Sequence, residues 1–296
     1  MKAMILAAGL GTRLRPLTDE KPKALVPVVN KPVIVWNIEY LKSHGVTHMI
    51  VNAHHHHRQV MDFLDNGRPF GVEIEVVVEP EILGTGGGIK NTEDFWDDEP
   101  FIVINADIIT NIPLDQAYAH HLASGALATM VLHDRPPYNK IRLNRDGRII
   151  EIPRQYGTKG LAFTGVHIIS PELLEHIRHR GFSDIVDCYR QLIQSGESLN
   201  AFPAQGHFWQ DIGSPADYLA ANRDLAPKAF ALGPDTRIHP SSRLKDWAVI
   251  GAGCSLEEHS MVQRSVLWEG VTVSAGTMAK DCILTPMHTI PSDSTA

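Results

Sequence analysis

The sequence predicts an α/β fold, with a mixed-sheet core and a short C-terminal left-handed β-helix. Three observations predict it. In the first half, short apolar runs alternate with helical patterns, the rhythm of parallel strands joined by right-handed crossovers. From residue 126, strand-like runs at 126–132, 140–143, 148–152 and 161–169 follow one another with few helices between them. Further on, Ile238, Leu244, Ile250, Leu256 and Val262 recur every six residues among glycines and small residues, the signature of a hexapeptide β-helix.

Residues 3–7 (Ala-Met-Ile-Leu-Ala) form a buried strand leading into a glycine-bearing loop. Residues 33–44 carry Ile34, Ile38 and Leu41 at helical spacing and stop before Gly45, as a helix C-terminus does. Residues 47–51 form a second strand, and Val60, Phe63 and Leu64 mark the next helix. Strands at 72–78 and 101–105 enclose another helical pattern. The runs from 126 onwards are expected as an antiparallel extension over the sheet's end. Helices resume at 172–178, 184–195 and 215–225. Residues 226–234 have linker composition, which divides the chain into 1–225, a linker at 226–237, and 238–296. At about 18 residues per coil the last segment makes fewer than three coils.

A chain of 296 residues buries a core without disulfide or metal staples. Its 43% apolar and 21% charged residues exclude collagen-like, disordered and coiled-coil classes. A net charge of −7 lacks the basic footprint of a nucleic-acid binder but allows a local pocket for a small anion. Cys188, Cys254 and Cys282 are widely spaced without a CxxC pair, which fits a reducing compartment and opposes a zinc site. No apolar run has membrane length, and the N-terminal one is too short for a secretory segment. The expectation is a cytoplasmic protein with no membrane or nucleic-acid partner; homo-oligomerisation stays open.

The strongest motif is Leu6-Ala7-Ala8-Gly9-Leu10-Gly11-Thr12-Arg13-Leu14-Arg15-Pro16, followed by Lys21-Pro22-Lys23. A loop after the first buried strand lies where α/β folds bind ligands. Gly9 and Gly11 let backbone N–H groups approach a phosphate. The dinucleotide fingerprint fails because Leu14 occupies its third glycine, and no Lys-Ser or Lys-Thr closes a P-loop. Cations beside a glycine turn suit a polyphosphate, with Arg15 equally readable as a surface salt bridge. In Leu83-Gly84-Thr85-Gly86-Gly87-Gly88, three glycines entering a helix mark close backbone approach. Glu79 and Glu81 precede them, and a carboxylate accepts from the paired N–H groups of guanine where uracil or thymine presents a carbonyl. His54-His55-His56-His57 would face all sides of a helix, so these residues read as a solvated helix start, not a metal site.

These segments resemble the N-terminal signature of sugar-1-phosphate nucleotidylyltransferases, and the resemblance covers essentially the whole chain. It implies a Rossmann-like, GT-A-like nucleotidyltransferase core that condenses a nucleoside triphosphate with a sugar 1-phosphate and releases pyrophosphate. Arg13 and Lys23 take the positions of the catalytic arginine and phosphate-binding lysine. Leu6, Ala7, Ala8, Gly9, Gly11 and Thr12 are implied nucleotide contacts, as are Glu81, Gly84, Thr85 and Gly86 beside the base. Asn105, Glu151 and Gly165 are implied for the sugar, and Asp107 and Asp211 for Mg²⁺. Asp107 follows Ala106 where the family writes glycine, and alanine fits unless the backbone needs positive φ. Asp211 lies in Trp209-Gln210-Asp211-Ile212-Gly213, close to the family pattern, and Asp217 on the next helix is read as solvated. The family's Glu-Lys-Pro is here Glu151-Ile152-Pro153, so its sugar-phosphate cation is missing, with Arg154 or Lys159 as substitutes. Asn139 stands where a glycine often follows the tyrosine, whereas Phe163-Thr164-Gly165-Val166 matches the sugar-side strand.

Such chemistry needs no Ser, Cys or His nucleophile. A sugar phosphate has its second pKa near 6 and is already an anion at about neutral pH. Catalysis is then positioning plus cationic neutralisation, and Mg²⁺ needs only one or two carboxylates besides substrate oxygens. A guanylyltransferase acting on mannose 1-phosphate is the expected activity. The alternative is a uridylyltransferase acting on another hexose or amino-sugar 1-phosphate. A catalytically inactive NDP-sugar-binding subunit is opposed by the joint presence of Arg13, Lys23, Asp107 and Asp211. An acyltransferase is opposed by the few coils and the lack of a long insertion loop.

Overall fold

A computed structural model of the chain describes residues 1–155, 159–177 and 181–292. The chain forms two compact units, Met1–Gly9 with Trp36–Trp209, and Leu10–Val35 with Gln210–Ala296.

The first unit is built on seven strands, β1 (Lys2–Leu6), β2 (His48–Ala53), β3 (Glu73–Val78), β4 (Phe101–Asn105), β5 (Ala128–His133), β6 (Ala162–Ile169) and β7 (Leu199–Pro203). Their order in the sheet is β7-β5-β6-β4-β1-β2-β3. β1 is parallel to β2 and β4, β2 to β3, and β5 to β7. Only β6 runs antiparallel to its neighbours, β4 and β5. The runs at 126–132 and 161–169 therefore enter the sheet instead of lying over its end. β6 is apolar along nearly its whole length and buried, which demands cover on both faces and both edges. Arg142–Leu143 and Ile149–Glu151 stand apart as a short antiparallel pair.

Crossovers carry α1 (Val33–Ser43), α2 (His57–Leu64), α3 (Gly84–Lys90) and α4 (Leu114–Ser124), and α5 (Ile185–Gln194) precedes β7. Asp184 caps α5 by accepting from the Val186 N–H, as an N-cap aspartate does. The helix expected at 172–178 is a 3₁₀ segment, Pro171–His176, ending before Ile177; Arg178 lies outside the described residues. The histidine run leads into a helix start as expected, but only His57 lies in the helix and the run is not wholly solvated. α2 begins at His57 after His56 in the left-handed region, and His54 Nδ1 donates to the Glu79 carbonyl at 2.7 Å. Among the described residues, no helix is long and apolar enough to cross a membrane.

The second unit stacks parallel strands. Leu232, Ile250, Leu267 and Leu284 stand in one column, Leu244, Val262 and Ala279 in a second, and Ile238, Leu256 and Val273 in a third. Leu244 to Val262 is 18 residues, but Val262 to Ala279 is 17. The six-residue period therefore breaks after Val262 although the stack continues. Ile238 is 37% exposed, because its column ends there. Phe230–Leu232, inside the expected linker, is itself a strand paired with Ala248 to Ile250. At one corner Arg264 binds Asp246 at 2.6 Å and Asp281 through two bonds of 2.6 and 2.7 Å, a ladder across three coils.

The unit boundary does not follow the expected break after residue 225, and the reason is a set of polar rivets. α6 (Pro215–Leu225) supplies Asn222, whose Oδ1 accepts the Val29 N–H at 2.8 Å, and Tyr218, whose hydroxyl donates to the Pro27 carbonyl at 2.5 Å. Tyr218 in turn accepts from Trp268 Nε1 at 3.0 Å, and Asn30 Nδ2 donates to the Ile250 carbonyl at 2.9 Å. Segment 10–35, α6 and the stacked strands thus share one network.

Two buried histidines set an acid limit. His121 lies between Thr129 Oγ1 and Ser170 Oγ, and burial pulls its pKa down to about 4. His167 contacts the Tyr189 hydroxyl, and burial pulls it to about 3. Both stay neutral in the fold, whereas the unfolded chain's imidazoles take up protons near pH 6.5. Stability should hold above pH 6.5 and fall as pH drops towards 4, where the unfolded state binds more protons. Urea midpoints from pH 7.5 to 4.5 should show this decline, and His121→Asn should flatten it. An identical slope in that variant would remove His121 from the explanation.

Candidate functional site

In the first unit the predicted residues gather at the carboxyl ends of β1, β4 and the bend in β6. The Ala106 N–H extends the β1–β4 ladder by donating to the Leu6 carbonyl at 3.0 Å, and Asn37 Nδ2 donates to the Ala106 carbonyl. Ala106 is buried and not in the positive-φ region, so alanine suffices where the resemblance expects glycine. Asp107 follows it, half-buried. The β4–β6 register sets Gly165 opposite Asn105. With φ +78°, a Cβ on Gly165 would lie 2.6 Å from Asn105 Nδ2. These two predicted sugar residues are therefore in contact, and only glycine permits it. Trp209 Nε1 donates to the Thr164 carbonyl at 2.8 Å and braces this bend.

Glu151 is placed differently. It is exposed and accepts from Arg142 Nη1 at 2.7 Å. Ile152 is buried at 4% exposure in the core, which explains an aliphatic residue at the position of the family's lysine. Arg154 reaches Asp187 at 3.3 Å, and Lys159 is exposed. Arg190, which sequence reasoning missed, binds the same Asp187 at 2.5 Å and donates to the Ile152 carbonyl at 2.8 Å. Its only signal was the i,i+3 spacing of opposite charges on a helix. Asn139 is buried and holds its own loop, accepting the Arg135 N–H and donating to Asp134.

The glycine helix α3 finds its close neighbour within the chain. The Gly86 and Gly87 N–H groups donate to the Ser183 carbonyl at 2.8 and 3.1 Å, and Thr85 Oγ1 accepts the Ile185 N–H. These groups are committed to loop 181–185. Glu79 is 1% exposed, and its two oxygens accept from Asn52 Nδ2 and the Leu83 N–H. It is thus engaged internally, contrary to the expectation that it faces a base. Glu81 is exposed and Gly84 half-buried.

The second unit holds the predicted cations Arg13, Arg15 and Lys23. Gly11 sits at φ +63° before the turn Thr12–Leu14, and a Cβ there would lie 2.8 Å from Thr18 Cγ2 and 3.3 Å from Lys23 Cβ. Thr18 Oγ1 donates back to the Gly11 carbonyl. Lys23, half-buried, opens the next turn, Lys23–Leu25. Arg13 is exposed, and its guanidinium and the Asp211 carboxyl each lie beside Gly213. A Cβ on Gly213 would lie 3.0 Å from Arg13 Nη1 and 3.1 Å from Asp211 Oδ2. Arg13 and Asp211, remote in sequence, thus both border Gly213. Arg15 forms a surface ion pair with Asp19 at 3.2 Å. Asp217 is not simply solvated: it accepts from Ser214 Oγ, which in turn accepts the Asp217 N–H and caps α6. Leu6, Ala7, Ala8 and Gly9 belong to the first unit, and a Cβ on Gly9 would meet open space.

No group of three or more His, Cys, Asp or Glu residues is arranged to hold a metal among the described residues. A hard cation here would draw on one or two carboxylates and on ligand oxygens.

Residues 2–228 match the Nucleotidyl transferase family. Mannose-1-phosphate guanyltransferase of Neurospora crassa is 31% identical over 269 residues, 82% of this chain and 73% of that protein. UTP–glucose-1-phosphate uridylyltransferase of Synechocystis is 27% identical over 335 residues, 95% of this chain and 86% of that protein. A Bacillus anthracis crystal structure, described as a glucose-1-phosphate thymidylyltransferase in complex with a sucrose, matches with a TM-score of 0.69 at 25% identity. That match covers 77% of this chain and 96% of the other.

A methyl group on Gly213 must displace Arg13 or Asp211 by a few tenths of an ångström. Gly213→Ala should keep the melting temperature within about 4 °C yet weaken binding of inorganic pyrophosphate about tenfold, the scale of one charge-assisted hydrogen bond. Calorimetry reads this, and parental affinity would show that Gly213 does not set the arginine's position.

Proposed function

Since the chain belongs to the nucleotidyl transferase family and is a sugar-1-phosphate nucleotidylyltransferase, we propose that its nucleotide is GTP and its acceptor mannose 1-phosphate. The position of both Arg13 and Asp211 beside Gly213 supports the site assignment. The guanyltransferase relative and the exposed carboxyl of Glu81 support the base. A second substrate pair, UTP with another hexose 1-phosphate, is favoured by the uridylyltransferase relative and by the internal commitment of Glu79.

In this reaction an oxygen of the acceptor's phosphate attacks the α-phosphorus in line, the bond from that phosphorus to the bridging oxygen breaks, and pyrophosphate leaves with the electron pair. The attacking oxygen is already ionised, so no base is required. Arg13 and Lys23 neutralise phosphate charge, the arginine by its planar fork and the lysine as a point charge. Residues 6–9, Gly11 and Thr12 line the triphosphate, and Gly84, Thr85 and Gly86 border the base. Asn105 and Gly165 take the sugar, joined by Glu151 when it leaves Arg142. Asp107 and Asp211 fit Mg²⁺ as half-buried hard oxygen donors, and the ion when bound neutralises phosphate charge. Residues 1–225 are assigned as the catalytic domain and 226–237 as a linker containing one strand. Residues 238–296 are assigned as a left-handed β-helix serving homo-oligomerisation; residues 293–296 lie outside the described part. Three free thiols suit the cytoplasm.

Pyrophosphate release with GTP, UTP, dTTP, CTP and ATP tests the substrates. GTP with mannose 1-phosphate should be fastest, and a faster UTP reaction would transfer the assignment to the second pair. Arg13→Lys should lower kcat about a hundredfold, the scale of one preorganised donor lost, and a variant within about twofold would dismiss Arg13.

Asp107→Asn and Asp211→Asn should each lose most turnover, with partial recovery at high Mg²⁺. The double variant should be little worse than either single, since residues acting as a unit are non-additive. Additive losses that no Mg²⁺ concentration relieves would show that the two aspartates do not share a metal.

A further inference from the structure

Two buried polar side chains in the first unit serve no core purpose of their own. Asn52, the fifth residue of β2, is 3% exposed, and Glu79, just past β3, is 1% exposed. Asn52 Oδ1 accepts the Ala7 N–H at 2.7 Å, and its Nδ2 donates to Glu79 Oε1 at 2.7 Å. Glu79 Oε2 accepts the Leu83 N–H at 3.1 Å. The amide's orientation is dictated chemically, because an N–H faces its oxygen and a carboxyl group faces its nitrogen. Ala7 is the first residue of the signature loop beyond β1, and Leu83 is the N-cap of α3.

The fold makes room for this pair at a cost to local propensity. A Cβ on Gly88 would lie 2.7 Å from Asn52 Nδ2 and 2.9 Å from Glu79 Oε1. Glycine inside a helix is unfavourable relative to alanine, so the third glycine of the run is explained by the pair it accommodates. Gly86 and Gly87 answer to loop 181–185, and Gly88 to Asn52 and Glu79.

We propose that Asn52 and Glu79 are positioning residues that lock the start of the polyphosphate loop to the N-terminus of the base-side helix, so that the two nucleotide-binding segments move as one. This rests on the nucleotide assignment above. The pair touches neither substrate. Its effect passes through the Ala7 and Leu83 backbones, so it should govern nucleotide affinity while leaving the sugar phosphate's KM unchanged.

The test exchanges the polarity of the pair. Asn52→Asp sets a carboxylate against Glu79 and should weaken Mg-GTP binding to the full-length protein about tenfold or more by calorimetry, the scale of a broken hydrogen bond to a charged group. The KM for mannose 1-phosphate should stay within about twofold, as for a site not coupled to the change. Combining N52D with E79Q restores both contacts in reverse, since the Gln amide can donate to the new carboxylate while its oxygen still accepts from Leu83. That double variant should return to within about threefold of the parent, the non-additivity expected of residues in contact. Gly88→Ala should reproduce the N52D phenotype with every polar group intact.

N52D binding as tightly as the parent would overturn the proposal, as would a double variant no better than N52D. Equal rises in both KM values would also overturn it, by showing a general loss of structure. A parent that binds none of the five triphosphates would overturn the nucleotide assignment itself, an outcome distinct from the others.

Discussion

Parallel strands end on backbone groups that no neighbouring strand can satisfy, and in this chain the side chains recruited to satisfy them shape the site. Asn52 takes the N–H of Ala7, Asn37 gives to the carbonyl of Ala106, and Trp209 gives to the carbonyl of Thr164. Thr164 in turn donates its hydroxyl to the Val131 carbonyl and accepts the Val166 N–H at the bend of β6. A buried group left without such a partner costs about 1–3 kcal/mol. Asn105 at the end of β4, Asp107 just beyond it and Gly165 in the bend of β6 are therefore held by the hydrogen-bonding requirements of the sheet. Their geometry exists before any ligand arrives, which is what preorganised catalysis needs.

The second unit solves a different problem. Short parallel strands have little area each, and their stability comes from stacking neighbours. The Arg264 ladder ties three coils at one corner, and Tyr218 and Asn222 tie the coils' neighbour α6 to segment 10–35. That segment carries Arg13 and Lys23, so the repeat's packing and the cationic loop belong to one compact unit. The stacked strands, α6 and the loop are packed into that one unit.

Close approach is the common theme of Gly213 and of the α3 glycines, but the approaching group differs. At Gly213 it is two charged side chains, Arg13 and Asp211. At α3 it is the chain itself, loop 181–185 on one side and the Asn52–Glu79 pair on another. The base-side glycines thus explain a rigid wall more directly than a set of donors. That difference weakens the guanine argument built on Glu79 and leaves Glu81 as the free-standing carboxyl near the segment.

Local periodicity determined the strands and helices of the first half, because burial on one face imposes a repeat that the chain itself displays. Phe101–Asn105 and Pro215–Leu225 fall where the pattern places them. The family resemblance carried by the glycine loop and the later motifs likewise marked Arg13, Lys23, Asp107 and Asp211 as candidates. The insertion of β6 between β4 and β5 was decided only in three dimensions, since an apolar run does not state its partners. So was the 17-residue coil, because one residue dropped from a corner erases the six-residue period without disturbing the stack. Asn52, Glu79 and Arg190 are single polar residues with no periodic signature, and their importance comes from which distant backbone groups they reach. Three glycines in a row state that something comes close. What comes close is a matter of long-range contact, and only the folded chain supplies it.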